Sequence, residues 1–241
     1  YFPNNVRMNK SINTSIDEVL HKGTTSLDAS TFKNMSEQKD ILVIDTRSKE
    51  SYINEGTVPG SWYIGIDGNF APWVGAIISD INQKIIFIAD DELRVNEIVT
   101  RFSRVGYDQT LGYLNGGLTD WKAKGFDVDY ISSISADKFT NMLAKGSVEK
   151  PIDVRRESEY LSEHVLGVEN FPLDFIHTNF AEIDPKKEYF LHCKTGYRSL
   201  IASSIFKAKG VKKVTDIRGG YKAIKETKAI LSNFVCPTTI L

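Results

Sequence analysis

The 241-residue sequence is poor in cysteine, with only Cys193 and Cys236, which excludes a disulfide framework and a cysteine-rich zinc module. Seven prolines in an otherwise mixed composition exclude a collagen-like rod or a low-complexity chain. No apolar run approaches the roughly 20 residues that a membrane helix needs. The segment Ile85-Ile86-Phe87-Ile88-Ala89 is long enough only for a buried strand. Neither charge sign dominates, with 30 Lys+Arg against 31 Asp+Glu, so a polybasic nucleic-acid binder is excluded. The four histidines, His21, His164, His177 and His192, are scattered without metal-ligand spacing, so no metal and no cofactor are expected in this chain. The chain opens Tyr1-Phe2-Pro3-Asn4, without Met and without a basic-then-apolar signal peptide. That start is read as a processed chain or a piece of something longer, and a cytoplasmic location is expected. What is present, 41% hydrophobic and 25% charged residues, is ordinary globular composition and allows one to two domains.

An internal repeat resolves that number. Ile44-Asp45-Thr46-Arg47 aligns with Ile152-Asp153-Val154-Arg155, and Tyr52 with Tyr160, without a gap. Gly60 and Gly167 follow, then the apolar runs Ile85 to Ala89 and Tyr189 to Leu191. Phe102 with Gly106 matches Phe206 with Gly210, and Asn115-Gly116-Gly117-Leu118 matches Arg218-Gly219-Gly220-Tyr221. The expected division is a leader at 1–22, a first domain at 23–129 and a second at 130–241. Within each unit short apolar strands alternate with polar or amphipathic helical stretches, and Gly106 and Gly210 close a helix. This α/β pattern indicates a parallel sheet covered by helices, with ligands beyond the carboxyl ends of the strands.

One strand-to-helix loop carries chemistry. In Phe190-Leu191-His192-Cys193-Lys194-Thr195-Gly196-Tyr197-Arg198-Ser199 a cysteine ends a buried strand, and an arginine follows five residues later at the head of an apolar helix. Loop and helix-terminal N–H groups then converge on the thiol, and Lys194 and Arg198 can add full charges. Such surroundings favour the thiolate, the nucleophilic form. Gly196 stands where the loop curls too tightly for a side chain.

This loop resembles the six-residue active loop of the rhodanese family of sulfurtransferases. Asp153-Val154-Arg155, His164-Val165-Leu166-Gly167 and Arg218-Gly219-Gly220 resemble that family's Asp-x-Arg, His-Ile-x-Gly and x-Gly-Gly marks in the same order. The resemblance runs from about Ser26 onward, once per unit, and implies two rhodanese-like domains, each a parallel five-stranded sheet flanked by helices. It implies that Cys193 attacks the sulfane sulfur of a donor such as thiosulfate and passes it to a thiophilic acceptor. The amides of Thr195, Gly196, Tyr197 and Arg198 would hold the persulfide, and Arg155 and Lys194 the anionic end of the donor. A phosphatase of the same fold is the rival, but its loop is one residue longer and makes the wider cradle that a phosphate needs. A sulfur-relay or regulatory binding module with little turnover is the alternative.

The first unit reads as inactive. Ala89-Asp90-Asp91-Glu92-Leu93-Arg94 aligns with the cysteine loop, so Ala89 replaces the nucleophile and Glu92 the glycine, and the three acids repel an anionic donor. Residues 130–241 carry 17 basic and 13 acidic side chains, whereas the remainder carries 13 and 18. Only the cysteine-bearing half suits an anion. The leader, Tyr1 to Leu20, resembles the linker after the metallo-β-lactamase-like domain of persulfide dioxygenase–rhodanese fusions. That implies a covalently fused partner domain whose non-haem iron ligands lie outside this chain.

Other residues have plainer readings. Asp45 and Asp153 anchor loop backbone or pair with an arginine, and Arg47 belongs to such a pair. Arg155 is left open between donor contact and ion pair. Ser199 is read as a helix cap, His164 and His192 as hydrogen-bonded structural residues, and Cys236 as a small hydrophobe. Trp62, Trp73 and Trp121 are packing residues. The Lys207, Lys209, Lys212 and Lys213 cluster is a solvated face, and neither nucleic acid nor membrane is an expected partner.

Overall fold

A computed structural model describes residues 15–236. The chain divides into two compact units, residues 1–130 and 131–241. In the first, the strands are β1 (Ser26–Leu27), β2 (Ile41–Asp45), β3 (Trp62–Tyr63), β4 (Lys84–Ile88) and β5 (Thr110–Leu114). They form one parallel sheet in the order β1-β5-β4-β2-β3. The helices are α1 (Ile16–Gly23), α2 (Ala29–Ser36), α3 (Lys49–Glu55), α4 (Phe70–Ile77), α5 (Val95–Ser103) and α6 (Gly117–Ala123).

The second unit repeats the plan with β6 (Ser132–Ile134), β7 (Lys150–Asp153), β8 (Glu169–Asn170), β9 (Glu188–His192) and β10 (Lys213–Ile217), in the order β6-β10-β9-β7-β8. All four pairings are again parallel. Its helices are α7 (Ala136–Ala144), α8 (Glu157–Ser162), α9 (Ile176–Asn179), α10 (Tyr197–Ala208) and α11 (Gly220–Lys225). Two five-stranded parallel sheets flanked by helices are therefore the fold, as the alternation of strands and helices and the resemblance together implied.

The central strands are apolar on both faces because helices cover both. Ile85, Ile86, Phe87 and Ile88 of β4 are all fully buried. In the first unit Phe32 of α2 and Trp121 of α6 meet edge to face, at 6.2 Å between centroids. In the second, Phe139 of α7, Phe190 of β9 and Tyr221 and Ile224 of α11 share one core. Three aromatic rings, Phe171, Phe180 and Tyr189, pack edge-on around Phe206 of α10. Gly106 and Gly210 lie at φ of 88° and 97° just past α5 and α10. That left-handed backbone lets the Val211 N–H reach back to the Phe206 carbonyl at 3.0 Å and close the helix.

The leader does not stand apart from the first unit over its whole length. Ser15 caps α1 reciprocally with Glu18, Val19 of α1 is buried, and Lys22 donates to Gln109 beside β5 at 2.8 Å. At Gly23 a Cβ would stand 2.4 Å from the Thr110 hydroxyl, so the helix end lies directly on β5. The segment Tyr1 to Thr14, which carries most of the linker resemblance, lies outside the described residues.

Candidate active site

Sheet register aligns the two loops. His192 pairs with Asp153 as Ile88 pairs with Asp45, so Cys193 and Ala89 occupy equivalent positions just beyond the carboxyl ends of the central strands. Cys193 is 1% exposed. The Gly196 N–H points at its Sγ from 3.1 Å, and the Ser199 hydroxyl lies 3.8 Å from the same atom. Gly196 adopts φ of 105°, which a side-chain-bearing residue rarely adopts. This backbone turns the amide inward and starts α10 at once, at Tyr197. Lys194 and Thr195 form the exposed rim, and Tyr197 and Arg198 are half-buried beside it.

The Gly-Gly turn supports the loop from below. The Tyr221 N–H donates to the Cys193 carbonyl at 2.6 Å, and the Lys222 N–H to the Lys194 carbonyl at 3.0 Å. A Cβ on Gly220 would stand 2.4 Å from the Cys193 carbonyl oxygen, so only glycine permits this approach. The imidazole of His192 lies beneath the loop, fully buried, with Nδ1 3.3 Å from the Cys193 carbonyl and 3.8 Å from Asp153. Burial pushes its pKa down, against the pull of Asp153, which favours the neutral ring.

Both arginines near the thiol are paired with carboxylates. Arg155, left open between donor contact and ion pair, makes the ion pair with Asp153. Its Nε sits 3.0 and 2.8 Å from the two Asp153 oxygens, one Nη is 2.6 Å from Asp153, and that Nη also donates to the Glu163 carbonyl. The guanidinium is 4.0 Å over the Tyr221 ring, and the residue is 4% exposed. Arg47 makes the same pair with Asp45 in the first unit. Arg198 forks onto both oxygens of Glu159 at 2.5 and 3.0 Å. Burial alone would raise the Glu159 carboxyl, but Arg198 outweighs it and holds that carboxyl below its ordinary value. Lys194 is thus the exposed cation on the rim of the loop. Ser199 is not the helix cap: Gly196 occupies that position, and the Ser199 hydroxyl donates back to its carbonyl at 3.2 Å.

The first-unit loop differs in path as well as chemistry. Glu92 carries a side chain where Gly196 uses a positive φ, and no described non-glycine residue adopts one. The chain makes a 3-10 turn at Glu92–Arg94 instead, with the Asp91 carboxylate accepting the Leu93 N–H at 2.8 Å. Asp90 accepts the Ser48 N–H, Glu92 accepts the Gly116 N–H, and Arg94 pairs with Asp67 and Glu97. Ala89 offers no nucleophile. Sequence reasoning missed Glu159, Glu163 and Tyr221 as partners of the two arginines, because Glu159 of α8 and Tyr221 of α11 come from other elements and Glu163 makes its contact through a backbone carbonyl. Among the described residues no cluster of His, Cys, Asp or Glu could hold a metal ion, and no helix is long and apolar enough to cross a membrane.

A thiol at the end of a central parallel strand, cradled by the following loop and matched in the first unit by a loop with Ala89 in its place, defines a tandem α/β architecture with one cysteine-bearing loop. The chain belongs to the rhodanese-like domain family, which matches residues 28–124 and 135–227. Among curated proteins it is 32% identical over 71 residues to the uncharacterized protein YqhL of Bacillus subtilis, covering 30% of this chain and 56% of that one. It is 29% identical over 92 residues to the putative sulfur carrier protein YrkF of the same organism, covering 38% and 50%. The chain thus spans about half the length of the curated relatives it matches. Similar solved structures include a rhodanese-like domain protein from Staphylococcus aureus, at 22% identity and TM-score 0.39 over 43% of this chain and 100% of that one. A thiosulfate sulfurtransferase from Pseudomonas aeruginosa is 15% identical with TM-score 0.38, over 88% of this chain and 44% of that one.

Proposed function

We propose that the second unit is a sulfurtransferase that carries sulfane sulfur on Cys193. The supporting observation is the inward Gly196 N–H at 3.1 Å from a buried Sγ, at the base of a loop closed by Arg198. The Cys193 thiolate attacks the outer sulfur of thiosulfate, the S–S bond breaks, and sulfite leaves with the bonding pair. The persulfide anion stays in the loop, where N–H groups stabilise its charge. A nucleophilic acceptor such as cyanide or a thiolate then takes the outer sulfur and regenerates the thiolate. Lys194 meets the anionic donor at the rim, and Ser199 supports the sulfur from the side. Incubation with thiosulfate and cyanide should give thiocyanate, and mass spectrometry should find one added sulfur on Cys193. Turnover that survives Cys193→Ser would overturn the proposal.

A second reading is a sulfur-relay module with little free turnover. The pairing of Arg198 with Glu159 and of Arg155 with Asp153 favours it, because it leaves Lys194 to attract a free anionic donor. The name of the YrkF relative, a putative sulfur carrier, agrees with this reading. It predicts loading of Cys193 without appreciable release to small acceptors. The leader resemblance supports a fused persulfide dioxygenase domain as the partner that supplies or takes the sulfur, and a cytoplasmic setting for the exchange.

A further inference from the structure

The vestigial loop of the first unit borders a cavity of about 370 Å³. Glu55, Asp90 and Glu92 line it, and Arg47 is the one cation among the lining residues. The Arg47 guanidinium is already committed to Asp45, Glu55 and the Gly56 carbonyl. Asp90 and Glu92 each give one oxygen to a backbone N–H, from Ser48 and Gly116, so each keeps a second oxygen. Tyr113 also lines the cavity; it is 9% exposed, and its hydroxyl makes no hydrogen bond to any described residue. Thr119 and the Gly116 and Gly117 backbone complete the wall, with a smaller apolar part from Ala89, Leu114 and Leu118.

The cavity is open because the loop stands off the Gly-Gly turn. A Cβ on Gly117 would meet only the Ala89 carbonyl oxygen, at 3.9 Å, against 2.4 Å for Gly220 and the Cys193 carbonyl oxygen. Charge also changes between equivalent places: Lys194 of the second unit is reversed to Asp90, and the Lys222 charge is lost at Thr119. The position that suits an anion in one unit is acid-lined in the other, with a tyrosine hydroxyl and a small apolar strip.

We propose that this cavity binds a small organic cation, an ammonium or guanidinium on an aliphatic stem. The head donates to the Asp90 and Glu92 oxygens and the Tyr113 hydroxyl, and the stem lies on Ala89, Leu114 and Leu118. The volume falls in the range of about 300–1,000 Å³ usual for small-molecule sites. Such a head comes either from a free amine or from a basic side chain of a peptide, and the probes separate these sources.

The test is amide NMR of the full chain during titration with agmatine, spermidine and N-acetyl-arginine amide. Saturable shifts at Ala89, Gly116 and Gly117 are expected, with affinity reduced about tenfold or more in Asp90→Asn/Glu92→Gln. Preference for the acetylated arginine would assign a peptide source, and preference for agmatine or spermidine a free amine. Both acids are exposed, and an otherwise unchanged spectrum would show that the variant is folded. Cys193→Ser should bind the probes as the parent does, which separates this site from the sulfur chemistry. Absence of saturation by about 10 mM for every probe, or equal binding by the double variant, would overturn the proposal.

Discussion

Replacing Arg155 by Met tests whether this arginine holds the fold or the donor. Asp153 is fully buried and Arg155 is 4% exposed, and three hydrogen bonds from Arg155, one of them from its backbone N–H, converge on the carboxylate. Met keeps the length of the stem but leaves a buried carboxylate without its countercharge. Breaking a buried pair from one side costs about 3–5 kcal/mol, a large share of the roughly 5–15 kcal/mol that a domain has in total. With an m value of about 2 kcal/mol/M, the urea midpoint of the affected transition should fall by roughly 2 M. The assay is urea unfolding of the full chain followed by circular dichroism, with Arg47→Met as the parallel variant in the first unit. The double variant Asp153→Asn/Arg155→Met should be more stable than Arg155→Met alone, because no orphaned charge remains. A donor-contact role gives the opposite pattern. A loss under about 1 kcal/mol together with a tenfold rise in KM for thiosulfate would refute the structural assignment.

Three further outcomes follow from the same geometry. Gly220→Ala and Gly117→Ala share positive φ values of 58° and 56°, but only the first drives a Cβ to 2.4 Å from backbone. Gly220→Ala should therefore cost at least about 1 kcal/mol more and depress sulfur loading of Cys193, and equal urea midpoints would contradict this. Because burial lowers the pKa of His192 from its ordinary value of 6.5, the folded state binds fewer protons there than the unfolded state. Its contribution to stability is full above about 6.5 and is lost as pH falls, so wild type should lose more stability than His192→Gln between pH 7 and 5; parallel curves would count against it. Ala89→Cys in a Cys193→Ser background should produce no thiocyanate, since Asp91 caps a turn where Gly196 bends and acids surround the sulfur. Turnover above about a tenth of wild type would refute that electrostatic and conformational account.

Much of this protein was legible in order along the chain. The two Asp-x-Arg marks, the apolar runs Ile85 to Ala89 and Tyr189 to Leu191, and the paired Gly-Gly turns state two copies of one α/β unit, because strand burial and turn chemistry are local and leave periodic traces. The single cysteine at a strand end, followed by Gly196 and Arg198, located the candidate site in the same way. Tertiary structure decided what the charged groups do. Arg155 and Arg198 look alike in sequence, as cations near a thiol; the Asp-x-Arg spacing itself sets Asp153 beside Arg155, but only the fold brings Glu159 of α8 to Arg198 and leaves Lys194 on the rim. A charge near a cysteine is a local fact; whether a carboxylate of another element, as Glu159 of α8 is for Arg198, stands beside it depends on which elements are neighbours. The same reason separates the two copies. Composition shows an acidic loop in the first, but its turn, its distance from Gly117 and the cavity between them exist only once β4 and β5 lie side by side.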